Sequence, residues 1–174
     1  SPLRVTSAVS VATRQIESGR YDEAISLLSD VLATSPHVSA SDSAAALSRI
    51  GYAHLSAGRR EEATDIYRTL LSQFGQTEHA AAVLSSFETL KETSEQEWSN
   101  EERLWVGLVS LEERQYGKAV QVLERLSEHA RDTDVLPKAR YYYLRAQYLS
   151  RQYVVAEKGF RSFLLSYPDH PLAS

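Results

Sequence analysis

A short pattern recurs four times along this chain of 174 residues. It consists of Gly or Arg where a helix would end, Tyr or Arg two positions later, and an alanine three positions after that. The four alanines are Ala24, Ala63, Ala119 and Ala156. Apolar residues around each alanine recur at helical spacing, and no segment shows the alternation of a strand. Because a helix pair of this size cannot bury its apolar face alone, the pattern predicts stacked pairs. Function is therefore expected on an extended surface.

The composition excludes several classes of protein. An apolar fraction of 43% with 24% charged residues is typical of a folded chain. A net charge of −4 supplies no basic excess for binding nucleic acid. The absence of cysteine excludes disulfides, zinc–thiolate sites and thiol nucleophiles, and is compatible with either cytoplasm or periplasm. No apolar run is long enough to insert directly into a membrane. The chain has no methionine and begins at Ser1, which predicts a fragment or a processed product.

Charge is unevenly distributed. The stretch 88–102 carries six glutamates against Lys91 alone, and the stretch 136–163 carries six basic residues against Glu157 alone. These stretches are interpreted as two solvated helix faces. The alternative is an electrostatic contact, either within the molecule or with a partner.

The apolar periodicity predicts four helix pairs and one further helix. A 56-residue step separates the second and third copies of the pattern, from Arg60 to Tyr116. This step exceeds a repeat of about 34 residues by one helix with its turns. One domain, 1–174, is expected, with Asp42 or Ser43 as the N-cap of its third helix. Its repeats are expected at about 5–38, 44–77, 100–133 and 137–170, with the extra helix at about 77–92.

The pairs resemble the tetratricopeptide repeat family. The second pair carries the resemblance most fully, through Leu47, Ile50, Gly51, Leu55, Gly58, Ala63, Tyr67 and Leu71. The resemblance implies an all-α fold, a right-handed superhelix of antiparallel helix pairs, with the extra helix between repeats 2 and 3. The small residues suit the close approach of paired helices. The ending Phe163 to Ala173 is also similar to helical-repeat proteins of the bacterial envelope, which favours the periplasm or cell envelope.

Three residues depart from the family pattern. Arg114 and Arg151 stand where glycine is usual, so their turns are expected to differ from the turns at Gly19 and Gly58. Leu144 replaces a small residue in the fourth pair, which is expected to loosen or tilt that pair.

The resemblance also implies a binding surface, because in this family the first helices of the pairs line a concave face. Its register gives the candidate partner-binding residues Arg49, Tyr52, Trp105, Leu108, Lys138, Tyr141, Tyr142, Arg145 and Tyr148. The positions that clamp a carboxylate in the chaperone-tail subgroup hold Val9, Thr13 and Arg49, which argues against that specificity.

Three consecutive tyrosines in the fourth pair cannot all be core residues. At about 100° per residue, Tyr141, Tyr142 and Tyr143 spread over more than half of the helix circumference. Tyr143 has the core register, while Tyr141 shares a face with Arg145 and Tyr148. Tyr and Arg are enriched at binding hot spots. The alternative is that a neighbouring repeat covers them.

No catalytic constellation is found. The five histidines are scattered with no pair at i, i+4 on one face, so no metal site is expected. No nucleophile elbow and no phosphate-binding glycine loop occurs, so neither catalysis nor a cofactor is expected.

These patterns predict a scaffold that binds a partner protein or peptide on its concave face. One alternative is the non-catalytic helical arm of a larger enzyme, such as a bacterial wall-remodelling hydrolase. Self-association through exposed ends is also possible, because a cut solenoid exposes apolar surface.

Overall fold

The computed structural model describes residues 2–35, 37–94 and 96–173, and for Pro2 and Leu3 the backbone alone. Pro36, within the first expected repeat, and Glu95, one of the six glutamates counted above, lie outside the described residues. The described part of the chain is all-α, as predicted, and contains no strand. Its nine helices are α1 (Pro2–Glu17), α2 (Tyr21–Thr34), α3 (Ala40–Ser56), α4 (Arg60–Phe74), α5 (Glu78–Glu92), α6 (Asn100–Glu112), α7 (Tyr116–His129), α8 (Val135–Leu149) and α9 (Tyr153–Ser166), followed by a 3-10 turn (Pro171–Ala173).

The helices form two compact units, unit 1 (Ser1–Glu97) and unit 2 (Trp98–Ser174). In unit 1, α1 packs on α2, α3 packs on both, and α4 and α5 continue the succession by packing on α3. The helix predicted over 77–92 is α5, which also contacts α4. Within unit 1 it takes the place of the first helix of a further pair. In unit 2, α6 pairs with α7, α8 packs on both, and α9 packs on α8.

The four repeated alanines lie where paired helices meet, and each is at most 1% exposed. In two of the pairs, a glycine on the first helix also allows the two helices to approach closely. A Cβ added at Gly51 would lie 2.3 Å from the Tyr67 ring, and one added at Gly107 would lie 2.5 Å from Leu123. In both pairs the small residue belongs to the first helix and the large one to the second.

The fourth pair inverts this arrangement. Leu144 of α8 is buried, and a Cβ added at Gly159 of α9 would lie 2.1 Å from its Cδ2 atom. The small residue has therefore moved to the second helix. Because Gly159 makes room for Leu144, the leucine packs into the α8–α9 interface rather than holding the helices apart.

The turns inside the four pairs share one conformation. Gly19 and Gly58 have φ of 77° and 78°, and Arg114 and Arg151 have φ of 58° and 66°. In each turn, the amide of the glycine or arginine with positive φ donates to the carbonyl of the residue three positions earlier. The amide of the residue that follows it donates to the carbonyl five positions before that residue. This pair of bonds satisfies carbonyls that a helix end would leave free. The prediction that the arginine turns would differ was wrong, because the hydrogen bonds impose a left-handed conformation that arginine also adopts, at a steric cost.

Helix starts differ slightly from the predictions. The N-cap of α3 is Ser39, whose hydroxyl accepts from the Asp42 amide at 3.0 Å, so the prediction of Asp42 or Ser43 was wrong. The start of α6 is a capping box in which Ser99 and Glu102 each accept from the other's amide. Helix α8 begins two residues before Pro137, which lies in the first turn, where a proline removes no intrahelical hydrogen bond.

Candidate functional site

Four of the candidate residues share one face of α8 in unit 2. Lys138, Tyr141, Arg145 and Tyr148 recur at intervals of three and four residues, which places them within about 80° of the helix circumference. Lys138 and Arg145 are exposed, and Tyr148 is 54% exposed. The structure therefore brings two cations and one accessible aromatic ring together on a single helix.

Tyr141 is more deeply packed than its neighbours on this face. Its ring stands edge-on to Tyr142 at a centroid distance of 5.2 Å and to Phe160 of α9 at 5.7 Å. It also lies 5.8 Å from Phe163, which is buried. Edge-to-face aromatic contacts of this kind contribute to stability. Tyr141 therefore helps to hold α9 on α8.

Tyr142 and Tyr143 serve the core of unit 2. Both pack against the buried residues shared by α6, α7 and α8. The Tyr143 hydroxyl donates to Glu124 Oε1 at 2.8 Å and accepts from Gln147 Nε2 at 2.7 Å. Burial, followed by this bond to Glu124, raises the pKa of Tyr143 to about 12. Tyr142, a candidate binding residue, thus presents only part of its ring to solvent.

The corresponding face of α3 in unit 1 carries Arg49 and Tyr52, both exposed. Tyr52 is 48% exposed and follows Gly51, the residue that meets Tyr67. Burial raises the pKa of Tyr67 to about 12, with Tyr52 adding to the rise and Arg49 opposing it. Exposed and buried tyrosines therefore lie side by side, with a cation close to both.

Trp105 and Leu108 of α6 are half-buried. Leu108 packs against the core of unit 2. These two candidate residues therefore present only part of their side chains to solvent.

Sequence reasoning missed a group of residues on α9. Tyr148, Tyr153, Phe160 and Leu164 line an open groove of about 750 Å³ together with Glu157 and Arg161. We call these six residues the α9 groove. The Tyr148 and Tyr153 rings lie 5.1 Å apart, so the groove adjoins the candidate face of α8. Helical periodicity in α9 predicts an inward position for Leu164. That prediction is wrong, because the side chain is 47% exposed.

The described residues contain no cluster of three or more His, Asp or Glu side chains placed to hold a metal ion. Within the same residues, no helix combines the length and apolar character needed to cross a bilayer.

Comparison with known proteins gives one family match and several structural likenesses. The tetratricopeptide repeat family model matches residues 15–86. A crystal structure of nearly identical TPR-like repeats from a putative kinesin light chain of Podosopora anserina is 16% identical, covers 98% of this chain and 99% of its own, and has a TM-score of 0.41. A second crystal structure of the same repeats is 15% identical and has a TM-score of 0.40. The match covers 97% of this chain and 98% of that one. None of the curated proteins matches the chain.

The matched segment contains the α1–α2 and α3–α4 turns and most of α5. The same turn hydrogen bonds recur in the α6–α7 and α8–α9 pairs, beyond the matched residues. The expected resemblance to the tetratricopeptide repeat family is therefore confirmed by a sequence match over residues 15–86.

Proposed function

We propose that this chain is an interaction scaffold that binds a segment of a partner protein through the faces of its first helices, with no catalysis of its own. Tetratricopeptide repeats generally mediate protein–protein interaction. What supports the proposal most is the residue that follows the helix-contact position in two of the pairs. In α3 this residue is Tyr52 and in α8 it is Arg145, and both are exposed.

These residue types suit recognition. Tyrosine buries a large area for a modest loss of side-chain entropy. Tyrosine and arginine are both enriched among the residues that dominate binding energies at interfaces. Here they are held on helices whose backbones are fixed by close packing at Gly51 and Leu144. A partner segment would then meet preorganised side chains, which lowers the entropic cost of binding.

Site-specific photo-crosslinking tests the proposal. A benzoylphenylalanine placed at Tyr52 or Tyr148 should capture the partner in cells of the source organism. The same probe at Ser72 of α4 or Ser162 of α9, both exposed positions of second helices, should not. Equal capture at all four positions, or capture at the control positions alone, would contradict the proposal.

With the captured partner in hand, Arg145→Ala and Tyr52→Ala should each weaken binding by about tenfold or more, the effect expected of a hot spot. The melting temperature should not change, because both side chains are exposed. Tyr141 is not a suitable test residue, because its ring packs between α8 and α9.

A further inference from the structure

The α9 groove is an apolar surface with the shape of a helix-docking site. In unit 1, α5 packs on the α3–α4 pair at the equivalent place. In α4, Thr64, Tyr67 and Leu71 are all buried. Counting from the repeated alanines, Ala63 and Ala156, their equivalents in α9 are Glu157, Phe160 and Leu164. All three line the groove.

The apolar part of the groove is continuous. Tyr148 and Tyr153 stand at one end in ring contact, Phe160 lies in the middle, and Leu164 lies one turn further along α9. Val154 and Leu165, which are 68% and 86% exposed, extend the apolar surface along the outer edge of α9. Exposed apolar side chains that adjoin one another favour contact with a partner.

The charge around the groove selects the partner. Helices α8 and α9 and their turn carry six cations (Lys138, Arg140, Arg145, Arg151, Lys158, Arg161) and a single anion, Glu157. That anion is already paired with Arg161 at 2.7 Å. The two helices that contribute to the groove are therefore basic as a whole, whereas the charged residues of the groove lining are the ion-paired Glu157 and Arg161. The positive charge of the two helices favours an acidic ligand both in encounter rate and in specificity.

A second copy of the chain fits this charge poorly. Its α1 would be the helix to dock in continuation of the stack, using Ser7, Val11 and Arg14, the equivalents of the buried α3 residues Ala46, Ile50 and Ala53. That face also carries Arg4, which lines an adjacent shallow groove. Docking α1 on α9 would thus bring two basic surfaces together, which disfavours the pairing.

We propose that the α9 groove docks an acidic amphipathic helix of a partner protein, running antiparallel to α9 as α5 runs against α4. The apolar residues of this helix would follow the spacing that α5 uses with Ala80, Val83, Leu84 and Phe87, which are all buried. Its glutamates and aspartates would flank the apolar stripe, within reach of Arg145 and Arg161. The site lies on a second helix, so it is distinct from the first-helix faces proposed above, although Tyr148 borders both.

Two synthetic helical peptides test the site on the full chain. Both repeat the apolar spacing of α5, one with glutamate and the other with lysine at the flanking positions. Fluorescence anisotropy should show binding of the glutamate peptide at least tenfold tighter than that of the lysine peptide. Added salt should reduce the difference, because exposed charges are screened.

Matched substitutions on α9 locate the binding. Leu164→Glu should weaken binding of the glutamate peptide by about tenfold or more, because it places an acid in the apolar floor. Val155→Glu is the control, since Val155 is also exposed but lies on the opposite side of α9, outside the groove. Arg161→Glu should weaken the glutamate peptide and strengthen the lysine peptide.

Equal binding of the two peptides, or equal effects of Leu164→Glu and Val155→Glu, would overturn the proposal. Sedimentation velocity supplies a further outcome. A dimer that Leu164→Glu abolishes would mean that a second copy, and not an acidic partner, occupies the groove. Capture at Tyr52 should be unchanged by Leu164→Glu, so failure of this site and failure of the first-helix faces can be told apart.

Discussion

Helices α4 and α9 hold equivalent positions in their pairs, yet one is covered and the other is open. Leu71 of α4, the helix on which α5 packs in unit 1, is 2% exposed, whereas its equivalent in unit 2, Leu164, is 47% exposed. The two surfaces share a register and differ in what packs on them. In a repeat protein, therefore, the same sequence position is core or binding surface according to its neighbour.

The largest expected effect tests this contrast directly. Leu71→Ala should lower the free energy of unfolding by about 2–4 kcal/mol, because it removes a buried side chain and leaves a cavity. Leu164→Ala should change it by about 0.5 kcal/mol or less, as expected for an exposed position. Urea denaturation of both variants measures the difference. Comparable losses would show that Leu164 is covered in solution.

The second prediction concerns the inverted packing of the fourth pair. Leu144→Ala alone should cost about 2–3 kcal/mol through the cavity it leaves. Gly159→Ala alone should cost about 1 kcal/mol or more, because its methyl group meets Leu144. The double variant should be less destabilised than the sum by at least about 0.5 kcal/mol, because the new methyl enters the vacated space.

Leu123→Ala with Gly159→Ala is the matched control for that cycle. Leu123 packs against Gly107 in the α6–α7 pair, so its effect should add to that of Gly159→Ala. A coupling energy of equal size in both cycles would contradict a specific contact between Leu144 and Gly159.

The third prediction concerns the residues with positive φ in the four turns. The expected changes in the free energy of unfolding are smaller there. Arg114→Gly and Arg151→Gly should each raise the free energy of unfolding by up to about 1 kcal/mol, because glycine adopts positive φ without steric cost. Gly19→Ala and Gly58→Ala should lower it by a similar amount. No atom outside the adjoining residues lies within 4 Å of a Cβ added at either glycine, so backbone conformation alone would account for the loss. Thermal unfolding of the four variants measures the effect, and opposite signs would contradict it.

The smallest effect is the alkaline titration of one tyrosine in each unit. The pKa of Tyr67 and of Tyr143 is raised to about 12, so the fold favours the protonated phenols. Their contribution to stability is present below pH about 10, the ordinary tyrosine pKa, and is lost as the pH rises from there toward 12. Tyr67→Phe and Tyr143→Phe should each flatten this loss in unfolding measurements across that range.

Glu124→Gln separates the two tyrosines. Removal of the carboxylate that accepts the hydrogen bond from the Tyr143 hydroxyl should lower the pKa of Tyr143 and leave that of Tyr67 unchanged. Tyrosinate absorbance follows both titrations. A shift in Tyr67 would contradict a local cause.

Much of the fold could be predicted from the sequence, because helix pairs are local structures. Apolar periodicity and the repeated alanines predict four helix pairs, and these are the α1–α2, α3–α4, α6–α7 and α8–α9 pairs of the structure. The arginine turns were mispredicted because the usual preference for glycine at this position was taken to mean that arginine would change the conformation of the turn. Main-chain hydrogen bonds decide the conformation of these turns. The carbonyls of Ser110 and Gln147 accept from the amide of the second turn residue, as the carbonyls of Gln15 and His54 do in the two glycine turns.

The candidate site was harder to predict. Register alone gives the direction of a side chain and does not tell whether another helix covers it. The exposed positions of Tyr52, Arg145 and Tyr148 follow from the register of a first helix. The exposure of Leu164 could not be predicted, because its sequence environment resembles that of the buried Leu71. Likewise, the packing of Tyr141 depends on Phe160 and Phe163, whose distance from it is set by the α8–α9 approach.

The succession of helix contacts has a consequence for how the chain acquires its structure. The principal contacts of each helix are with the next one or two helices along the chain. Such short sequence separations mean that little loop entropy is lost before contacts form, which favours rapid folding. Folding could begin at any adjacent pair and spread to its neighbours. Amide hydrogen exchange should then be slowest at the interior of each unit, near α3 and α8, and fastest toward the helices at its ends.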